Sequence, residues 1–358
     1  MRRALVVDRP GEIAVVDRPD LKPGPGEVVA RPRFVGVCAT DLELLRGQVD
    51  PAYVRYPIVI GHEWSGHVEA VGPGVTGLAA GDPIVSEGVI PCGVCQRCRE
   101  GRTHLCLTYD EIGFTRDGAA SDQLVVPARL VHRLAPAIEL LDAALVEPAA
   151  VVAQALGRLG ADPAHEKGAA AGGAGRAPGS GDTVLIVGAG TIALLAAQLV
   201  RLIGPDAVFM LGRRPVQAPL AATVGADDFA AGEDVDPRDA FHRPEGFGLV
   251  IEAAGSVAAV ATAIGAVRRG GTVLLLGLSP AGQTVAIRPD QLVNDDLTIV
   301  ASFASTAPAW EHVVGLLEAG RIAPGRLVTH RFPLAEHRAA FAALESRSQP
   351  TGKVILEI

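Results

Sequence analysis

The chain has no run of lysine or arginine, no internal repeat and no heptad pattern. With a net charge of −8 and no basic stretch, it offers a nucleic-acid backbone no electrostatic footprint, so the expected partner is a small molecule. An apolar leader is missing too. After Met1-Arg2-Arg3 only Ala4 to Val7 precede Asp8, too short for a signal peptide, and a cytoplasmic protein is expected. The apolar run Val184 to Val200 is slightly short for a spanning helix and has Gly188 and Gly190 near its start; it reads as a buried strand, turn and helix, not a membrane segment. Cysteine is scarce: Cys38, Cys92, Cys95, Cys98 and Cys106 are five, an odd and clustered set. Such a set argues against a secreted disulfide framework and for metal ligation.

What is present is 358 residues, 49% hydrophobic and 20% charged, with a pI near 5.6. That describes a globular protein long enough for two domains with buried cores. Short β-like runs broken by Gly and Pro (Ala4 to Val7, Ile13 to Val16, Val28 to Val37, His67 to Val71, Pro83 to Val85, Leu124 to Val126) predict a barrel-like β domain. A helix is expected from about Asp142 to Leu159. Residues Ala161 to Ser180, mostly Ala and Gly, read as a flexible insertion. Beyond it strand and helix alternate from Thr183 to Leu276, which implies an α/β domain with a doubly wound parallel sheet. A helix at Pro308 to Glu318 and a strand at Gly352 to Ile358 close the chain.

Three stretches carry chemistry. In Gly61-His62-Glu63-Trp64-Ser65-Gly66 two metal-ligand types stand side by side, with Cys38 upstream and Glu147 downstream. Cysteine, histidine and carboxylate are ligands zinc accepts, and a catalytic zinc keeps one position open. If these four residues converge, the protein is a zinc enzyme. Cys92-x2-Cys95-x2-Cys98-x7-Cys106 can close a tetrahedron by itself; an iron–sulfur run would continue x3-Cys-Pro, whereas here the last gap is seven and Leu107 follows. Such a closed site stabilises a loop, and His104 within it is read as a bystander. Gly188-Ala189-Gly190-Thr191-Ile192-Ala193 places G-x-G-x-x-A between an apolar strand and an apolar helix, the setting in which a turn and helix N-terminus receive a dinucleotide pyrophosphate.

With these residues in place the chain resembles the zinc-dependent medium-chain dehydrogenases, the alcohol, polyol, threonine and sugar dehydrogenase superfamily. The resemblance rests on Cys38-Ala39-Thr40-Asp41, Gly61-His62-Glu63, Gly81-Asp82, the four-cysteine loop, Val146-Glu147-Pro148, the dinucleotide turn, Glu252-Ala253-Ala254-Gly255 and Gly270-Gly271-Thr272-Val273. It implies a GroES-like catalytic domain from residues 1–155 with 300–358 returning to it. A Rossmann domain, 156–299 with the insertion 161–180, stands between, with the active-site cleft at the junction. It also implies a homodimer or homotetramer, and two Zn2+ per chain: one on Cys38, His62, Glu63 and Glu147, with the two carboxylates sharing the remaining positions, and one on the four-cysteine loop. Thr40 would accept the substrate's hydroxyl proton.

Two departures stand out. Five residues after Cys38, where many relatives have a relay histidine, stands Glu43, as in some sugar dehydrogenases. Ala120-Ser121-Asp122-Gln123 replaces a common Phe-Ala-Glu-Tyr and is expected to alter the substrate side of the pocket.

The expected activity is hydride transfer between a secondary alcohol (polyol, diol, sugar or cyclitol) or its carbonyl and NADP, with NAD as the other possible cofactor. Gly188, Gly190, Thr191, Ile192, Gly277 and Leu278 are the expected cofactor contacts. NADP is preferred because Gly212, at the end of the second Rossmann strand, takes the place of the carboxylate that would repel a 2′-phosphate, and Arg213 and Arg214 follow. The alternatives are a zinc-free quinone or enone reductase of the same fold and a non-enzymatic dinucleotide-binding protein. Both would lack the metal ligands.

Overall fold

A computed structural model describes residues 1–160, 179, 181–346 and 348–358. They form two compact units. Met1–Glu147, Thr306–Ser346 and Lys353–Ile358 make the first, and Pro148–Ser305 with the short stretch ending at Gly352 makes the second. The segment expected to be a flexible insertion lies, apart from Gly179, outside the described residues.

The chain begins with ten strands: β1 (Arg2–Arg9), β2 (Glu12–Arg18), β3 (Glu27–Val37), β4 (Ile58–Val59), β5 (Glu63–Val71), β6 (Pro83–Ser86), β7 (Val89–Ile90), β8 (Asp110–Glu111), β9 (Leu124–Pro127) and β10 (Val131–Arg133). Six follow in the second unit: β11 (Thr183–Val187), β12 (Ala207–Gly212), β13 (Asp228–Ala231), β14 (Phe247–Glu252), β15 (Val267–Leu275) and β16 (Thr298–Ala301). The chain then returns as β17 (Val328–Pro333) and β18 (Lys353–Glu357).

In the first unit β3 is the hub, with β5 and β18 as its antiparallel neighbours and β9 alongside. Its residues explain this. Only Arg31 and Arg33, on either side of buried Pro32, are exposed; the consecutive buried runs 28–30 and 35–37 are those of a central strand covered on both faces. The core beneath gathers Val28, Val35, Trp64, Ile84, Leu124 and Leu356, so the C-terminal strand is packed into the same cluster as the N-terminal barrel. Two differences from the sequence expectation concern function. The strand expected from His67 starts at Glu63, so this carboxylate stands on the sheet, paired with Gly36 in register, and not on a loop. The single helix expected from Asp142 is two, Leu140–Ala143 and Val146–Arg158.

In the second unit six parallel strands run in the order β13-β12-β11-β14-β15-β16. The order reverses direction at β11, whose neighbours are β12 and β14, and a dinucleotide binds such a sheet beyond the strand ends at this switch point. The apolar run Val184 to Val200 becomes β11, the glycine turn and the helix Thr191–Arg201. Among the described residues no helix is long and apolar enough to cross a membrane.

Candidate active site

Cys38 leaves β3 and caps the helix Ala39–Leu45, His62 lies between β4 and β5, and Glu63 opens β5. The donor atoms of these three all lie within 4.8 Å of one another. His62 and Glu63 are 8% and 2% exposed, so the cluster is a buried floor and not a surface coincidence. Behind it stand two residues that sequence reasoning did not assign to the site. Asp41 accepts the Cys38 N–H at 2.8 Å through Oδ2 and turns Oδ1 toward His62 Nδ1 at 3.6 Å. That geometry orients the imidazole as carboxylates behind metal-binding histidines do. Burial works against charging His62, yet Asp41 and Cys38 outweigh it and hold its pKa well above the usual value. Lys353 pairs with Glu63, and both are buried. Gly36 makes room for this pair, because a Cβ there would run into Glu63 Oε2 and the Lys353 chain.

Glu147 is half-buried in the first turn of the helix Val146–Arg158, but it is not one of the residues whose donor atoms meet within that distance. Its surroundings place it beside them. Burial pushes its carboxyl up to about 7, with His62 and Lys353 opposing the shift and Glu63 and Glu111 adding to it. Glu111, in β8, is a further acid that sequence reasoning missed; burial raises its pKa and His62 lowers it. Thr40 Oγ1 lies 3.7 Å from Cys38 Sγ, whereas Glu43 is on the exposed face of its helix. The Phe114 ring packs 5.1 Å from His62. Ser121 and Asp122 bond to Arg2 and Arg3 of the N-terminal strand, and Gln123 bonds to Glu69 in β5. Asp41 was within reach of sequence reasoning, three residues after Cys38 at capping spacing. Lys353 and Glu111 carried no local signal.

The four loop cysteines also gather within 4.8 Å, all of them free thiols. Their Sγ separations of 3.5, 3.9 and 4.0 Å far exceed a disulfide bond and match the edge of a thiolate tetrahedron, about 3.8 Å for metal–sulfur bonds of ~2.3 Å. Backbone N–H groups of Val94 and Cys95 lower the Cys92 thiol to about 6, whereas burial and the neighbouring thiols push Cys98 up to about 12. Four thiols crowded together cannot all ionise unless a cation joins them. The donor set therefore fits a closed zinc site.

In the second unit Gly188 has φ 134°, and extended Gly190 caps the helix Thr191–Arg201 with open space where its side chain would be. Thr191 Oγ1 donates to the Gly352 carbonyl at 2.8 Å, and Ile192 is half-buried. Gly212 ends β12 with Arg213 exposed and Arg214 half-buried after it. Gly277 packs against Gly255 and Glu252, and the side chain of Leu278 is exposed.

Residues 24–136 match the family described as alcohol dehydrogenase GroES-like domain, and 142–358 match glucose dehydrogenase C-terminus. The chain is 27% identical to the sorbitol dehydrogenase of Halalkalibacterium halodurans over 341 residues, covering 94% of this chain and 93% of that protein. It is 31% identical to the L-threonine 3-dehydrogenase of Burkholderia lata over 352 residues, 96% of this chain and 94% of that one. A zinc-binding dehydrogenase from Sinorhizobium meliloti 1021, solved with NADP bound, superposes with a TM-score of 0.90 at 28% identity, covering 100% of this chain and 99% of the other. These matches run across both the β domain and the parallel-sheet domain, and they make the chain a member of the zinc-dependent medium-chain dehydrogenase superfamily, an oxidoreductase of the alcohol dehydrogenase type.

Proposed function

We propose that the enzyme oxidises a secondary hydroxyl of a polyol, diol, sugar or cyclitol with NADP, and reduces the matching carbonyl in reverse. One observation carries the reading: Cys38, His62 and Glu63 converge on a buried floor while Asp41 and Lys353 hold the last two from behind. Cys38 and His62 are the direct ligands of a catalytic zinc. Glu63 and Glu147 share the carboxylate role, Glu63 held in reserve by Lys353. When bound, the zinc polarises the substrate oxygen and makes its proton easier to lose. Thr40, beside Cys38, accepts that hydroxyl proton. Glu43, exposed on the same helix, stands nearer solvent for its onward passage. Cys92, Cys95, Cys98 and Cys106 hold the second zinc. The nicotinamide cofactor supplies the hydride acceptor, with its pyrophosphate on the Gly188-Ala189-Gly190 turn and Gly277 and Leu278 beside it.

NADP is favoured over NAD by Gly212, which offers no carboxylate, and by Arg213 and Arg214. NADP in the Sinorhizobium relative agrees with this. Exposed Val293, Ile299 and Phe303 around the edge strand β16 support a homo-oligomer. The test measures zinc per chain and screens polyols, sugars and diols with both cofactors. Two zincs and NADP reduction by at least one secondary alcohol are expected; a zinc-free protein as purified would remove the reading.

A further inference from the structure

We infer that Gln217 is a positioning residue for the cofactor: its side-chain amide fastens the dinucleotide turn to the returning segment at Thr351. Gln217 closes a short turn after β12 and is 2% exposed. Its Nε2 donates to the Ala189 carbonyl at 2.7 Å and to the Thr351 carbonyl at 3.0 Å, and its Oε1 accepts the Thr351 N–H at 2.8 Å. Toward Thr351 the amide thus acts as a backbone partner would, giving and taking one bond each. Ala189 is the middle residue of Gly188-Ala189-Gly190. Holding its carbonyl on a buried amide keeps that oxygen from facing an approaching phosphate, which would repel it, and leaves N–H groups to meet the anion.

The Thr191 hydroxyl adds a second tie, to the Gly352 carbonyl, so both sides of the turn are fastened to consecutive residues of one segment. All these groups belong to the second unit. Along the chain the next residue is Lys353, the buried partner of Glu63. Among the described residues, the side-chain bonds of this buried glutamine go to these two backbones.

The inference rests on the dinucleotide reading above, and its test keeps the two apart. NADPH affinity would be measured by fluorescence for wild type, Gln217→Leu and Gln217→Glu, with amide exchange followed with and without NADPH. Gln217→Leu deletes all three bonds; Gln217→Glu keeps an acceptor for the Thr351 N–H but sets an oxygen against two carbonyls. Both are expected to weaken NADPH binding at least tenfold while the alcohol KM at saturating cofactor stays within twofold. NADPH should slow exchange at residues 349–352 in wild type and no longer do so in Gln217→Leu, with β11 still protected in both. If Gln217→Leu does not fold, Gln217→Glu carries the measurement. A lowered melting temperature with unchanged NADPH affinity would make Gln217 merely structural and overturn the inference. Wild type that binds neither NADPH nor NADH is a different outcome: it would remove the functional reading, and this inference with it.

Discussion

Lys353 and Glu147 show at single-residue scale how the floor of the site is held. Removing one partner of a buried ion pair leaves the other charge without compensation, at a cost of about 3–5 kcal/mol. Lys353→Met should therefore lower stability by about that amount, measured by urea unfolding, and added zinc should recover part of it because Glu63 then finds a cation. A variant as stable as wild type would mean that Glu63 does not need its partner. Glu147 gives a pH signature of definite sign. Its carboxyl has an ordinary value of 4.5 and is pushed up to about 7 in the folded chain, so in that interval the folded chain keeps a proton that the unfolded chain has released. Stability then falls as pH rises through the interval. His62, with its pKa also raised, acts in the same direction above its ordinary 6.5. In the presence of a chelator, the melting temperature of wild type relative to Glu147→Gln should decline between pH 4.5 and about 7. Zinc should flatten the decline by holding the carboxylate ionised; a relative rise over that interval would refute the assignment.

At the scale of elements, the loops and strand ends whose donor side chains gather in the structure were legible because their chemistry is local. The four cysteines lie within one loop and the glycine turn between one strand and one helix, so spacing alone disclosed them. The partners behind the ligands were not legible: Lys353 reaches Glu63 only because β18 lies against β3, and no nearby residue announces that pairing. The two metal loops separate by mutation. Cys95→Ser should cost soluble yield or lower the melting temperature sharply, since a structural metal contributes folding free energy directly. Cys38→Ser should keep one zinc and lose turnover. Selective loss of catalysis in a fully stable Cys95→Ser protein would reverse the two roles. For cofactor choice, the structure adds a steric condition at the end of β12. A Cβ at Gly212 would stand 2.7 Å from Phe229 Cζ, so a carboxylate introduced there needs the ring to move. Gly212→Asp with Arg213→Ala should shift kcat/KM toward NAD by about tenfold or more, given ~1.5–3 kcal/mol for a hydrogen bond to a charged group. Adding Phe229→Leu should enlarge the shift. Unaltered preference in the triple variant would show that this strand end does not read the 2′-phosphate.

On the scale of the whole molecule, the two units differ in how far apart in sequence their pairings lie, and this sets an order of folding. The α/β alternation predicted the parallel sheet because β11 to β16 follow one another between Thr183 and Ala301, each pairing built within that span. The first unit is unlike this. Its hub strand β3 is flanked by β18, so the seven-stranded sheet cannot be completed until Val354 meets Val37 and Leu356 meets Val35 from the far end of the chain. Closing so long a loop costs entropy that must be met before the contacts form, and such distant pairings slow folding. On refolding from urea with zinc present, pulsed amide exchange should find β11, β12 and β14 protected before β3 and β18. Tryptophan fluorescence gives an independent clock, because Trp64 and Trp310 are the chain's two tryptophans and both lie in the first unit, buried. Their signal should recover in step with β18 protection and lag behind β11. Simultaneous protection of all five strands would show that the return of the chain is not the slow step, and that the two units fold as one.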